Sequence, residues 1–234
     1  MKSFYSEHRG FWSKEHKRSF YLAVLLIILS LIIQVGAGRY SARVAAHAPF
    51  VGDLFLDNLP VVNLDFIIVQ GALIFWILSS LLLSTKPRRL LFGMKAIALF
   101  IVFRAFFISL THIGIYPEEV IHDANDIGFG LYKLVTFQGN FFFSGHTGFP
   151  FLMMMIFWND KFWRRIFLSA TLILAASVLL THVHYSIDVF AAPFITYGIF
   201  KITARLFQQD YLLLDSRIGH VDKVSDNGII YSNG

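Results

Sequence analysis

Long apolar runs alternate along this chain with short polar segments rich in Lys and Arg, and the runs have the length of membrane spans. The first covers Ser19–Val35, after a basic leader containing Lys2, Arg9, Lys14, Lys17 and Arg18. The second, Leu64–Leu83, ends at the turn Lys86-Pro87-Arg88-Arg89, and Leu90–Leu110 follows almost at once. A polar stretch, Thr111–Asn140, carries Glu118, Glu119, Asp123 and Asp126; then come Phe142–Trp158, Ile166–Leu180 and Tyr185–Phe207. A spanning helix takes roughly 20 residues, so the fourth and fifth runs are near the short limit and must borrow flanking residues. The pattern predicts an all-α fold, a six-transmembrane-helix bundle. Residues 1–18 form a basic leader, 19–207 the membrane domain, and 208–234 a polar tail with little structure. Gly36, Ala37 and Gly38 would suit a signal-peptide cleavage site, but the leader is long for one and an even helix count favours an uncleaved helix.

Orientation follows from the basic residues. The leader, Lys86/Arg88/Arg89, Lys161/Arg164/Arg165 and the tail with Arg217 and Lys223 fall on one side. The other side has Arg39, Arg43 and Lys133, and none between the fifth and sixth runs. This bias predicts that the amino and carboxyl termini are both cytoplasmic. Composition agrees. Of 234 residues, 56% are hydrophobic and 15% charged, and the mean hydropathy is +0.62; a soluble domain would need more polar surface. Phe is common, at 26 residues, which suits lipid-facing as well as packed helix surfaces. With no cysteine, disulfides and thiolate metal sites are excluded. The net charge of +5 sits beside apolar runs, so the expected partners are membrane lipids and not nucleic acid.

Ionisable residues inside apolar runs are costly and therefore functional candidates. They are Arg104 in the third run, His146 opening the fourth, and His184 with Asp188 opening the sixth. On the topology above, the fourth and sixth runs enter from the outer side, and Arg104 lies about 10 Å below the outer end of the third at roughly 1.5 Å per residue. Four polar groups from three helices thus reach a similar depth in one leaflet. His184 and Asp188, four apart, share a helix face. The carboxylate can hold Nδ1–H and leave Nε2 free as a nucleophile; such a pair can equally satisfy itself between helices. His146 follows Gly145, where a close backbone approach and a helix amino terminus suit an anion; an interfacial histidine without chemistry is the alternative. Arg104 suits a phosphate, or a structural ion pair with Asp65 or Asp188. His182-Val183-His184 could suggest a metal, but ligand spacing elsewhere does not support one. His112 reads as interfacial, and Met153-Met154-Met155 as core filling.

Phe143-Ser144-Gly145-His146-Thr147 and His182-Val183-His184-Tyr185-Ser186-Ile187-Asp188-Val189 resemble the two signature motifs of the sphingomyelin synthase-like branch of the type 2 phosphatidic acid phosphatase superfamily. Arg104 with Thr111, seven residues on, resembles the helix-three motif. The resemblance runs from about the second run to the sixth. It implies that His184 attacks the phosphorus of a lipid phosphoester and forms a phospho-histidine. Asp188 would orient His184, and His146 would protonate the leaving alkoxide. Arg104, Thr111, Asn140, Ser144, Gly145 and Tyr185 would bind substrate, with no metal or cofactor.

Departures are specific. Hydrolytic members have an arginine where this chain has Val178, and a Lys-rich first motif that is missing here; both differences favour the synthase-like branch. The synthases have an acidic residue at the position of Asn140, so the resemblance does not extend to headgroup choice. Their Pro-rich first-loop motif is only echoed, by Leu59-Pro60 and Asp65. The expected function is transfer of a phosphoryl headgroup from a phospholipid to a lipid alcohol. A lipid phosphate phosphatase is the first rival, and a non-catalytic transporter or scaffold the second. The missing cysteine, short tail and compact loops point to a bacterial inner membrane, with the site facing the outer, periplasmic side.

Overall fold

The computed structural model describes residues 8, 10–117, 119–120, 137, 139 and 142–214. Lys2, Arg9, Glu118, Asp123, Asp126, Lys133, Asn140, Arg217 and Lys223 lie outside that set. The described residues are helical and contain no strand. Helix α1 is Lys14–Ala45, α2 Ile67–Ser84, α3 Pro87–Leu110, α4 Gly145–Ile156, α5 Lys161–Leu180, α6 Ser186–Leu206 and α7 Gln208–Leu212.

The starts of these helices are encoded locally. The Ser13 side chain caps α1 by accepting from His16 N at 3.3 Å, and Glu15 and Arg43 complement the dipole at its two ends. Pro87 occupies the first turn of α3, where its missing N–H costs nothing. Asp160 caps α5, accepting from Trp163 N at 3.3 Å. Helix α1 buries Ala23, Ser30, Gln34, Gly38, Ser41 and Ala45, a largely small-residue stripe that lets it pack closely along α3. Its other faces expose Leu25, Ile28, Leu29 and Ile32, as suits a helix bathed in lipid.

Five helices, α1, α2, α3, α5 and α6, are long and apolar enough to cross a membrane. The fourth apolar run is the exception. Only 12 of its residues are helical, a length of about 18 Å against a hydrocarbon core of about 30 Å. All but Gly145, Phe149 and Phe151 of α4 are buried, because α3, α5 and α6 pack around it. Phe92, Phe100, Phe143, Leu152, Met153, Phe157, Phe167 and Phe200 form the core on which it sits. Their rings meet edge to face, as in Phe100–Phe143 at 5.4 Å and 82°. Much of the phenylalanine content therefore serves packing.

The tail differs from the expectation of little structure over 208–214. Gln208–Leu212 is a helical turn, and Asp210 within it is buried. Asp210 forms an ion pair with Lys95 of α3 and accepts from Ser19 Oγ of α1 at 2.9 Å. A carboxylate with two such partners is worth ordering, and it fastens the end of α6 to the two helices beside it.

Candidate active site

Helix α3 ends where α4 and α6 begin, so one end of the bundle gathers one carboxy-terminal turn and two amino-terminal turns. Ser144 caps α4 with its hydroxyl, accepting from Thr147 N at 3.4 Å, and its own N–H donates to the Asp188 carbonyl at 3.1 Å. That second bond fixes the first turn of α4 against the first turn of α6. Arg104 reaches across from α3, and its Nε donates to the Phe143 carbonyl at 3.1 Å. A Cβ on Gly145 would lie 3.1 Å from the same Nε. A larger residue here would require the guanidinium to shift by a few tenths of an ångström.

The two histidines meet in this corner. The ring centroids of His146 and His184 are 5.9 Å apart, with the planes at 66°. His184 Nδ1 lies 3.3 Å from Asp188 Oδ2, which also accepts from Tyr185 N at 3.2 Å. The carboxylate thus holds the imidazole and caps its own helix at once. A carboxylate at Nδ1 selects the tautomer whose lone pair is on Nε2. His184, Asp188, Ser144 and His146 are all buried.

Electrostatics keep the His184 imidazole neutral. Burial, and then the positive charge of Arg104, lower its pKa from 6.5 to about 3. A neutral imidazole has the lone pair that nucleophilic attack requires. Burial also raises the Tyr185 phenol, whose hydroxyl donates to the Gly114 carbonyl at 2.9 Å.

Of the residues singled out in the sequence, the structure brings together His146, His184, Asp188, Arg104, Ser144, Gly145 and Tyr185. Thr111 is not brought into these contacts; it ends α3 about 10 Å beyond Arg104, and its hydroxyl donates to the Phe107 carbonyl. Asn140 lies outside the described residues. The His182-Val183-His184 step is neither strand nor helix. His182 has φ +55, in the left-handed region that histidine enters more readily than most side chains. His182 packs on Tyr116 at 5.2 Å, and neither of its ring nitrogens has a hydrogen-bond partner among the described residues.

Sequence reasoning missed Asp53. It lies in the loop between α1 and α2, and its Oδ2 accepts from Ser186 N, the first residue of α6, at 2.7 Å. Burial would push its carboxyl up, but the N–H groups of Ser186, Leu56 and Phe55 outweigh it and the pKa is lowered. The signal was present. A carboxylate among Phe50, Val51, Leu54 and Phe55 needs a partner for its charge. Asp65, singled out instead, stands at the start of the second apolar run, where its N–H donates to Asn63 Oδ1.

A comparison with curated proteins finds no match. Residues 139–205 match a family model described as PAP2 superfamily C-terminal. That segment runs from just before the Ser144 cap to the end of α6 and contains both histidines and Asp188. The matched segment is under a third of the chain, and it makes that part similar to the PAP2 superfamily C-terminal model; the five apolar helices support an integral membrane protein.

Proposed function

We propose that the protein is an integral membrane lipid phosphotransferase of the sphingomyelin synthase-like kind, with His184 as its nucleophile. The observation that carries this reading is the 5.9 Å separation of the His146 and His184 rings, which lets both imidazoles reach one phosphoryl group. His184 Nε2 attacks phosphorus as the bond to the leaving alkoxide breaks, and His146 gives that oxygen its proton. Asp188 offsets the charge gained by the phosphorylated imidazole. Arg104 and the free N–H groups at the start of α4 hold the phosphoryl oxygens. A lipid alcohol then gives its proton to His146 and attacks phosphorus, and the P–N bond breaks. No cofactor takes part.

A lipid substrate suits the surroundings. The loop carrying Asp53 exposes Phe50, Leu54 and Phe55 beside the site, a surface suited to the acyl region of a bilayer. In this reading both termini are cytoplasmic and the site faces outward in a bacterial cell membrane; the bias of the basic residues supports the orientation. On this reading the fourth run counts as the sixth span although its 12-residue helix is shorter than the hydrocarbon core, because its neighbours enclose it.

The test compares wild-type and His184→Ala proteins in vesicles holding labelled phospholipid donors and lipid-alcohol acceptors. A new phospholipid formed by the wild type and absent with the variant supports the reading. Equal product from both removes His184 as nucleophile. A water-soluble headgroup phosphate, or free phosphate from a lipid monoester donor, in place of a new phospholipid assigns hydrolysis.

A further inference from the structure

A second cavity opens at the other end of the bundle. It has a volume of about 590 Å³, within the range of sites that hold a lipid or drug-sized molecule. Lys201 at its rim is 13 residues along α6 from Asp188, about 20 Å at 1.5 Å per residue, so the cavity is separate from the histidine site. Its walls come from the last turns of α4 and α6 and from α7, with Phe151, Met154 and Phe200 supplying apolar surface. The α7 wall is fixed, because Asp210 beside Tyr211 is held by Lys95 and Ser19.

The chemistry of the rim is one-sided. Lys201 is exposed and lines the cavity, and its ammonium lies 5.4 Å from the Tyr197 ring centroid. Trp158 also lines the cavity, and the guanidinium of Arg164, itself outside the lining, lies 4.8 Å from its ring. Among the described residues, none that lines the cavity is acidic. Asp160 nearby is engaged with Arg89 at 3.9 Å and caps α5. One lining cation, a second beside Trp158, two amphipathic aromatics and an apolar wall match an anionic headgroup above an acyl chain. A soluble anion would leave the apolar wall unused.

We infer that this cavity binds one anionic phospholipid of the leaflet opposite the histidine site, with its phosphate at Lys201 and an acyl chain against Phe151, Met154 and Phe200. Native mass spectrometry of the purified full chain tests it, with phosphatidylglycerol and phosphatidylcholine of matched chains offered to wild-type, Lys201→Ala, Lys201→Arg and Arg104→Ala proteins. Lys201 is exposed, so its replacement leaves the fold intact. The wild type retains phosphatidylglycerol over phosphatidylcholine. Lys201→Ala weakens that retention about fivefold, the effect of one interfacial cation, and Lys201→Arg keeps it. Excess inorganic phosphate does not displace the lipid. Equal retention of the two lipids, or no effect of Lys201→Ala, overturns the inference. Loss only with Arg104→Ala assigns the lipid to the histidine site, and displacement by inorganic phosphate leaves a soluble-anion site; either also overturns it. Binding is read without turnover, so its outcome is independent of whether His184 is a nucleophile.

Discussion

The carboxylate of Asp53 accepts a 2.7 Å hydrogen bond from the backbone N–H of Ser186, tying the loop between α1 and α2 to the start of α6, beside the His184–Asp188 pair. The same carboxylate accepts from Phe55 N at 2.9 Å and Leu56 N at 3.2 Å. One side chain thus sets both the fold of the loop and its contact with α6. Asp53→Ala leaves three N–H groups without their acceptor, and each charge-assisted bond of this kind contributes about 1.5–3 kcal/mol. Lipid turnover falls at least about tenfold, while the protein still reaches the membrane and keeps its helical circular dichroism. Wild-type turnover in the variant would show that the loop has no part in the site.

Asp188→Asn tests orientation separately from attack. Asparagine can still bond to Tyr185 N, so the cap survives, but it cannot offset charge on a phosphorylated imidazole. Turnover drops about 10²–10⁴-fold, the range for losing a proton-positioning partner, with little change in melting temperature. A matching loss of stability would reduce Asp188 to a structural cap.

The pH dependence carries a sign. As the proposed nucleophile, His184 must be neutral to react, and burial and Arg104 lower its pKa to about 3. Its neutral form therefore persists as pH falls from 7 toward 4, where an ordinary histidine would already be charged. Arg104→Gln removes one of the two causes, so the His184 pKa rises and the acid limb of kcat/KM moves to higher pH. Rates from pH 4 to 8 read this as a fall in the variant at pH values where the wild type stays level. An acid limb that stays in place in Arg104→Gln would place the titration on another group.

Gly145→Ala isolates a steric requirement. The new methyl would sit 3.1 Å from Arg104 Nε and 3.5 Å from Cζ, so the guanidinium must yield. Arginine is flexible, and stability changes little. KM for the phospholipid rises several-fold as the phosphate loses its aligned fork. An unchanged KM would separate Arg104 from substrate binding.

The spans were legible because a bilayer demands unbroken apolar runs, and α2, α3, α5 and α6 follow those runs closely. The convergence of His146, His184 and Arg104 was legible too, since helix direction alone brings an end of α3 to the starts of α4 and α6. The length of α4 was not. Phe142, Phe143, Phe157 and Trp158 extend the apolar run beyond the helix, and hydropathy records composition without seeing where the backbone turns. Asp53 was missed because its partner is 133 residues away, a distance no local pattern spans. Asp210 was read as tail because Gln208, Gln209 and Asp210 are polar, and its partner Lys95 lay unremarked in the third apolar run.

That pairing gives the last prediction. The side chains of Lys95 and Asp210 are only 3% and 8% exposed, and Lys95 Nζ also donates to Ser19 Oγ at 2.7 Å. Removing one partner of a buried pair strands the other charge, at about 3–5 kcal/mol. Replacing both with apolar side chains removes the stranded charge as well. Lys95→Met and Asp210→Leu each lower the melting temperature in detergent markedly, and the double variant recovers most of the loss. The histidine site lies at the opposite end of α3 and α6, so turnover per folded molecule is retained in the double variant. Single variants as stable as the wild type would mean that α7 is held by its packing through Tyr211 and Phe207 alone. A double variant worse than either single would mean that the ion pair itself, beyond the avoidance of a lone charge, secures the end of α6.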